Sequence, residues 1–517
     1  MQDNVLLVIL DGFGEGKDYE GNAITRANTP NIHKLRSSYP LSFLKAHGNA
    51  VGLPEIAQGN SEVGHFTIGA GRIVFQSLEE INQSIINKTF FTKKPFLDAC
   101  EQVKKMPGAA ALHLLGMISD EGVHATTHHL FALLELAKEQ GIEKTYIHAI
   151  TDGRDVPERS AEKYIKSIQE KIMKLGMGEG SSTNATIATI CGRYYAMDRD
   201  NNWDRTEKAY NLIVNGEGIH EKDALEAIKN AYARNIETDY YIDPIVFDEK
   251  GTIKDTDVVI FFNFRTDRTR QLTQCFTREK EIGFTPTKTV NPFFVCMGPY
   301  SDKAPVVFPV MPVINNLGST LSKHNITQLR LAETEKYAHV TYFFNSQIET
   351  PFPREDRITI DSKKAGSFAE IPEMSAREIT DRLIKEMESQ KYPVIIINFA
   401  NTDLVGHSGN YAATIKAVEV IDECLGRIEK ATLATNYHTL ITGDHGNAEY
   451  MIYDAGPEKG QQCPSHTRNP VPFMLISEKL KTAKLSDGEL KDVAPTMLAL
   501  LHIPQPAEMT GKNLLTS

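Results

Sequence analysis

Three short apolar runs in this sequence end in side chains that bind cations. Val5 to Leu10 stops at Asp11, Val394 to Ile397 leads through Asn398 to Asp403 and His407, and His438 to Thr442 stops at Asp444 and His445. In Asp403-Leu-Val-Gly-His407 a carboxylate and an imidazole stand four residues apart, a spacing that turns both toward one ion on a helical turn. Asp444-His445-Gly446-Asn447 sets two ligand types side by side in a glycine-containing loop, where the backbone can come close to a cation. Each segment alone has a plainer explanation, since an Asp after a strand often caps a helix or opens a turn. Three such ends in one chain point to a shared metal centre. A fourth loop, Gln58-Gly-Asn-Ser-Glu-Val-Gly-His65, places the hydroxyl of Ser61 between glycines. Ser61 suits a helix N-cap; beside a metal it also suits a nucleophile, because the cation activates the hydroxyl and neutralises phosphate charge.

A second group of loops carries the opposite charge. Thr151-Asp-Gly-Arg154-Asp155, Gly192-Arg193-Tyr-Tyr-Ala-Met-Asp-Arg199 and Asn263-Phe-Arg265-Thr-Asp-Arg268 each follow an apolar run. Arginine offers a planar fork matched to carboxylate and phosphate. One Arg after a strand is most often a surface ion pair, but five in three such loops read as an anion pocket. Asp155-Val-Pro-Glu158 also has the pattern of a capping box with Pro in the first helical turn, so a capping role for Asp155 stands beside a chemical one.

These loops need a scaffold that brings distant segments together. Short runs rich in β-branched residues, at 5–10, 112–115, 146–150, 186–190, 258–262, 394–397 and 438–442, alternate with amphipathic helical patterns. Such alternation predicts an α/β fold with parallel sheets, whose ligand sites lie beyond the carboxyl ends of the strands. Prolines 305, 309 and 312 punctuate a linker between Ala304 and Leu317. With 517 residues, 41% hydrophobic and 24% charged, the chain is long enough for about two to four domains. Its net charge of −11 argues against nucleic acid or an anionic membrane as partner, and no run approaches the ~20 apolar residues of a membrane span. Six scattered cysteines without a CxxC pair predict a reduced, cytoplasmic protein.

Taken in order, Asp11-Gly-Phe-Gly, Gly59-Asn-Ser-Glu-Val-Gly-His65, Asn401-Thr-Asp-Leu-Val-Gly-His407, Gly443-Asp-His-Gly-Asn447 and Ser465-His-Thr-Arg-Asn-Pro-Val-Pro-Phe473 resemble the cofactor-independent phosphoglycerate mutases of the alkaline phosphatase superfamily. The likeness runs essentially from end to end. It implies a discontinuous, alkaline-phosphatase-like metal domain, residues 1–72 and 311–517, with an inserted α/β substrate domain at 73–310. By that resemblance Asp403, His407 and His466 would hold one Mn²⁺, and Asp11, Ser61, Asp444 and His445 a second. Asp and His also accept Mg²⁺, Zn²⁺ or Co²⁺. Ser61 would carry the phosphoryl group, Lys336 would contact it, and Asp155 would act as acid and base. His124, Arg154, Arg193, Arg199, Arg265 and Arg268 would bind substrate together with Asp155 and Lys336. Departures from the pattern, Ile56-Ala57 before Gln58 and Asn201-Asn202 in place of a basic pair, replace no proposed ligand.

The implied activity interconverts 2-phosphoglycerate and 3-phosphoglycerate through phospho-Ser61, with glycerate retained and reoriented between two transfers and no 2,3-bisphosphoglycerate required. A metal-dependent phosphomonoesterase of the same superfamily is the alternative, sharing the ligands but needing no glycerate site. The resemblance further implies a monomer. Imidazoles bind metal only when neutral, so metal loss is expected below about pH 6.5.

Overall fold

A computed structural model describes residues 3–516. The chain divides into two compact units, Met1–Gln76 with Pro312–Ser517, and Ser77–Met311. Each is built on its own largely parallel sheet.

In the discontinuous unit the eight strands lie in the order Glu355–Ile360, Gln328–Glu333, Val394–Phe399, Asn4–Leu10, Tyr437–Gly443, Val471–Ile476, Leu41–Lys45 and Gly488–Glu489. The first five run parallel; Val471–Ile476 pairs antiparallel with both of its neighbours. Asn4–Leu10 explains why its sequence is almost unbroken in apolar residues. Side chains alternate across a strand, and here Val5, Leu7 and Ile9 enter one core cluster while Leu6, Val8 and Leu10 enter another on the opposite face. A parallel strand covered on both sides cannot afford the polar alternation of a half-exposed one.

Register decides what emerges at the strand ends. Leu10 lies level with both Phe399 and Gly443, so Asp11, the Asn401 turn and Asp444 leave the sheet side by side. Gln328–Glu333, next to Val394–Phe399, delivers the turn that carries Lys336.

The continuous unit repeats the plan with seven strands, in the order Ile219–His220, Ile245–Val246, Asn184–Gly192, Lys144–Thr151, Leu112–Ile118, Val258–Phe261 and Phe293–Cys296. Its five longer strands are parallel. Ile118, Thr151 and Gly192 are level, which brings Ser119, Asp152 and Arg193 out together. All seven apolar runs read from sequence are strands of these two sheets. Among the described residues no helix is long and apolar enough to cross a membrane.

Because Leu7 is wholly buried at the centre of the first sheet, Leu7→Ala should lower stability by about 2–5 kcal/mol through lost transfer energy and a cavity. The check is the urea midpoint of the unit that contains it.

Candidate functional site

Eight side chains from six segments converge beyond the carboxyl ends of the first sheet. Asp11, Asp403 and Asp444 are buried, as are Ser61, Lys336 and His445, while His466 is partly open and His407 exposed. Their proximity depends on a glycine: Gly12 has φ +68°, and a Cβ there would stand 2.8 Å from the Asp403 Cα. Only a residue without a side chain lets the two ligand loops pass so closely. Asn398 on the neighbouring strand and Thr402 in the helical turn after it secure Asp11, Thr402 donating to the Asp11 carbonyl and Asn398 Nδ2 donating to Asp11 Oδ2 at 2.7 Å.

Ser61 sits at the meeting point. Its Oγ is 2.9 Å from Asp11 Oδ1, 3.0 Å from His445 Nε2 and 2.8 Å from Lys336 Nζ. Lys336 also donates to Asp11 and Asp403, at 2.7 Å each. The cap reading of Ser61 is corrected here. Asn60 is the N-cap, its side chain accepting from Val63 N, and Ser61 is the first residue of the helix Ser61–Ala70, so its hydroxyl is free to point into the cluster.

His407 and His466 show what the site is prepared for. His407 Nδ1 donates to Pro464 O at 2.9 Å and His466 Nδ1 donates to Gly59 O at 2.8 Å. With both Nδ1 protons so placed, both Nε2 lone pairs point inward, 2.9 Å from one another and each 3.2 Å from Asp403 Oδ1. Three lone pairs facing each other repel unless a cation or proton lies among them. Asp11, Asp403 and His445 form a second such group, and Asp444 Oδ2 is buried with no hydrogen-bond partner among the described residues. Three buried carboxylates face the single ammonium of Lys336, which leaves two negative charges to be met by bound cations or by protons on histidine. The donor set therefore fits divalent metal.

His65, Asp11 and Asp444 also lie close enough to hold an ion, but the hydrogen bonds argue otherwise. His65 Nδ1 donates to Ser61 O at 2.8 Å and lies 3.2 Å from Asp444 Oδ2, and Nε2 accepts from Asn398 at 3.0 Å. Neither nitrogen is left for a cation. His65 instead ties the serine turn to Asn398, a role that its position four residues after Ser61 in a helix could have suggested.

Charge in this cluster is strongly coupled. Burial would push the Asp11 and Asp403 carboxyls up, but Lys336 overrides it and holds both well below the usual carboxylate range. Burial would likewise push the His445 imidazole down; Asp444, Asp11 and Asp403 instead raise it to about 9. The hydrogen bond to Asp403 raises His407.

The arginine loops form a separate cluster at the ends of the second sheet. Arg193 is buried and forks between Asp152 Oδ1 at 2.6 Å, Asp155 Oδ2 at 2.5 Å and His124 Nε2 at 2.9 Å. A guanidinium only donates, so His124 Nε2 accepts and its proton is on Nδ1. Burial and Arg193 together lower the His124 pKa to about 4. Burial would raise Asp155, but its bond to Arg193 holds it below the usual range. Asp267 gathers Arg199 at 2.7 Å and Arg265 at 3.0 Å. Arg268 donates to Met197 O at 3.1 Å, its pKa lowered by burial and by the nearby Arg199, Arg193 and Arg154. Arg154 itself is exposed.

Asp155 is no helix cap. The next helix begins at Ala161, with Ser160 at the cap position, and Asp239 Oδ2 accepts from the N–H groups of both. Asp152 and Asp267 were not singled out from sequence. Asp152 had one legible mark, an Asp two residues before Arg154 with Gly153 between, which is an Asx turn: Oδ1 accepts from Arg154 N at 3.2 Å and Asp155 N at 3.1 Å. Asp267 had none beyond its place between two arginines.

Comparison with known proteins decides the family. A chain from Moorella thermoacetica, a 2,3-bisphosphoglycerate-independent phosphoglycerate mutase, is 47% identical over 518 residues, covering 99% of this chain and 98% of its own. The chain belongs to the 2,3-bisphosphoglycerate-independent phosphoglycerate mutases. A mutase of the same description, numbered 1, from Methanosarcina acetivorans is 48% identical over 519 residues, with 99% and 98% covered. The model of the family's N-terminus, "BPG-independent PGAM N-terminus", matches residues 81–302. A crystal structure of Leishmania mexicana phosphoglycerate mutase at low cobalt concentration covers 100% of this chain and 98% of its own, with TM-score 0.55 and 29% identity. Membership of this mutase family, with the converging donors, supports divalent metal binding by the chain.

The raised His445 and His407 shift the expected pH window upward from 6.5, because the surrounding carboxylates favour the protonated rings. Protons then compete with metal until the pH passes about 9, and metal binding must release them. Calorimetry with Mn²⁺ at about pH 7.5, in two buffers of different ionisation enthalpy, should show at least about one proton released per chain. A buffer-independent enthalpy would contradict the coupling.

Proposed function

We infer that this chain interconverts 2-phosphoglycerate and 3-phosphoglycerate without 2,3-bisphosphoglycerate, using Ser61 as the phosphoryl carrier. The observation that carries this reading is the position of Ser61 Oγ, within 3.0 Å of a carboxylate, an imidazole and an ammonium at once. Residues 1–72 and 311–517 are the proposed metal and phosphoryl-transfer domain, and 73–310 the substrate domain. Asp403, His407 and His466 would hold one divalent cation, and Asp11, Ser61, Asp444 and His445 the other. Bound there, two cations neutralise phosphoryl charge and favour the ionised serine. Mn²⁺ is our choice among the ions that carboxylate and imidazole accept.

Ser61 Oγ attacks phosphorus, forming the serine ester as the glycerate O–P bond breaks. The serine proton lies on the hydrogen bond to Asp11, while Lys336 donates to the same oxygen and favours its anionic form. In the substrate domain the Arg193, Arg199, Arg265 and Arg268 guanidiniums, with Arg154 and His124, bind the anionic groups of glycerate. The proton that Ser61 gives up passes to the departing glycerate oxygen; Asp155, ionised beside Arg193, takes the proton of the hydroxyl that attacks phospho-Ser61 and, once protonated, is the acid that returns it, a contribution of roughly 10²–10⁴ in rate. The glycerate, retained and turned, accepts the phosphoryl group on its other hydroxyl. A reducing cytoplasm suits the six buried free cysteines, and we propose a monomer.

Conversion of 3-phosphoglycerate should proceed with Mn²⁺ and no added 2,3-bisphosphoglycerate, stop with EDTA, and release no phosphate. Phosphate release in place of 2-phosphoglycerate would make the chain a phosphomonoesterase. Ser61→Ala should abolish transfer while the folded chain still binds glycerate; turnover at the unsubstituted rate would overturn the serine mechanism.

A further inference from the structure

Glu449 has no part in the reaction described above, yet it is almost fully buried beside the metal-ligand loops. It makes no ion pair among the described residues; four donors satisfy it instead. Oε2 accepts from Gly14 N at 3.1 Å and Asn447 N at 2.8 Å, and Oε1 accepts from the Thr467 hydroxyl and from Asn469 Nδ2 at 3.0 Å. Those donors belong to three loops that are distant in sequence. Gly14 follows Asp11, Asn447 follows Asp444 and His445, and Thr467 follows His466.

The glycines of these loops are shaped around the same carboxylate. A Cβ at Gly14 or at Gly446 would overlap the Glu449 carboxylate, and one at Gly16 would stand 2.8 Å from its Cγ. Three backbones can therefore close on Glu449 only because side chains are missing where they approach. The main chain adds its own ties: Ala448 N donates to Gly12 O at 3.0 Å, Thr467 N to Gly446 O at 2.9 Å, and Glu15 N to Pro470 O at 2.7 Å.

We propose that Glu449 is a positioning residue, a buried anionic clamp that fixes the loops bearing Asp11, Asp444 with His445, and His466 in ligating geometry before any metal arrives. It is not itself a ligand, because both its oxygens are taken by donors. Two of these donors are main-chain N–H groups that cannot reverse, so an acceptor is required at Oε2. At Oε1 a hydroxyl and a primary amide can turn to offer oxygen, which makes glutamine a partial substitute there.

This inference rests on the two-metal reading above, and the test separates the two. Mn²⁺ alone is titrated calorimetrically into full-length unsubstituted protein, Glu449→Gln and Glu449→Ala, and the visible absorption of each is recorded with Co²⁺. Groups that orient metal ligands typically govern about 10- to 100-fold in affinity, so Glu449→Ala should weaken Mn²⁺ by about that factor and Glu449→Gln by less, with the Co²⁺ bands altered in both. A merely structural role would lower the melting temperature but leave Mn²⁺ affinity and the Co²⁺ spectrum of the folded variants unchanged, and that result overturns the proposal alone. Unsubstituted protein that binds no Mn²⁺ overturns the two-metal reading and this inference with it. If both variants fail to fold, Thr467→Val, which deletes one donor at constant shape, is read in the same way: weaker Mn²⁺ and a changed Co²⁺ spectrum support the clamp, and unaltered values overturn it.

Discussion

Three carboxylates share a water-poor space at the ends of adjacent strands, and their mutual repulsion is the constraint around which this half of the molecule is organised. Asp11, Asp403 and Asp444 are each no more than 2% exposed. An unpaired buried carboxylate costs several kcal/mol, of order enough to rival the whole stability of a domain when three are combined. Lys336 meets part of that charge, and raised histidine pKa values meet more of it in the absence of metal. A fold that holds such a cluster must do so from rigid elements. Here those elements are parallel strands buried on both faces, whose aligned register leaves the acidic side chains little room to move apart.

The same geometry serves opposite charge in the second unit. Four adjacent parallel strands, ending near His124, Asp152, Arg193 and Arg265, bring out a cationic cluster where the first sheet brings out an anionic one. In each case a counter-charge keeps the site from repelling itself: Lys336 among carboxylates, and Asp152, Asp155 and Asp267 among guanidiniums. These internal partners occupy the positions that a bound ion or anion would compete for, so binding at either cluster is an exchange of partners rather than a filling of empty space. Such exchange keeps charged groups ordered in the free protein and reduces what must be arranged on binding.

How much of this the sequence disclosed follows from where each signal lies. The strand Asn4–Leu10 was legible because burial on both faces leaves a continuous apolar run, and Asp403 with His407 because one helical turn relates them. His466 and Lys336 came into view only through resemblance, since one lies in an irregular loop and the other on a short turn, with no periodicity to place them. Asp152 and Asp267 hold other side chains, Arg193 and Arg199, that come from another loop, so that role exists only once the chain is folded. Ser61 and Asn60 are both good cap formers, and a one-residue shift between them is invisible to pattern reading.

That one-residue shift carries chemical weight. With Asn60 as the cap, its side chain satisfies Val63 N, and the N–H groups of Ser61 and Glu62 have no acceptor within the helix. The aligned peptides add a partial positive charge at the same end, of about half a unit for a well-formed helix. A phosphoryl group on Ser61 would therefore be placed at the positive end of Ser61–Ala70, with unpaired amides near it and Lys336 alongside. Had Ser61 been the cap, its hydroxyl would have been spent on the backbone and would have lain outside the first turn. In the proposed reaction the helix would thus add to the stabilisation of phosphoserine expected from ammonium and metal, and it would do so through the main chain, where substitution of side chains cannot remove it.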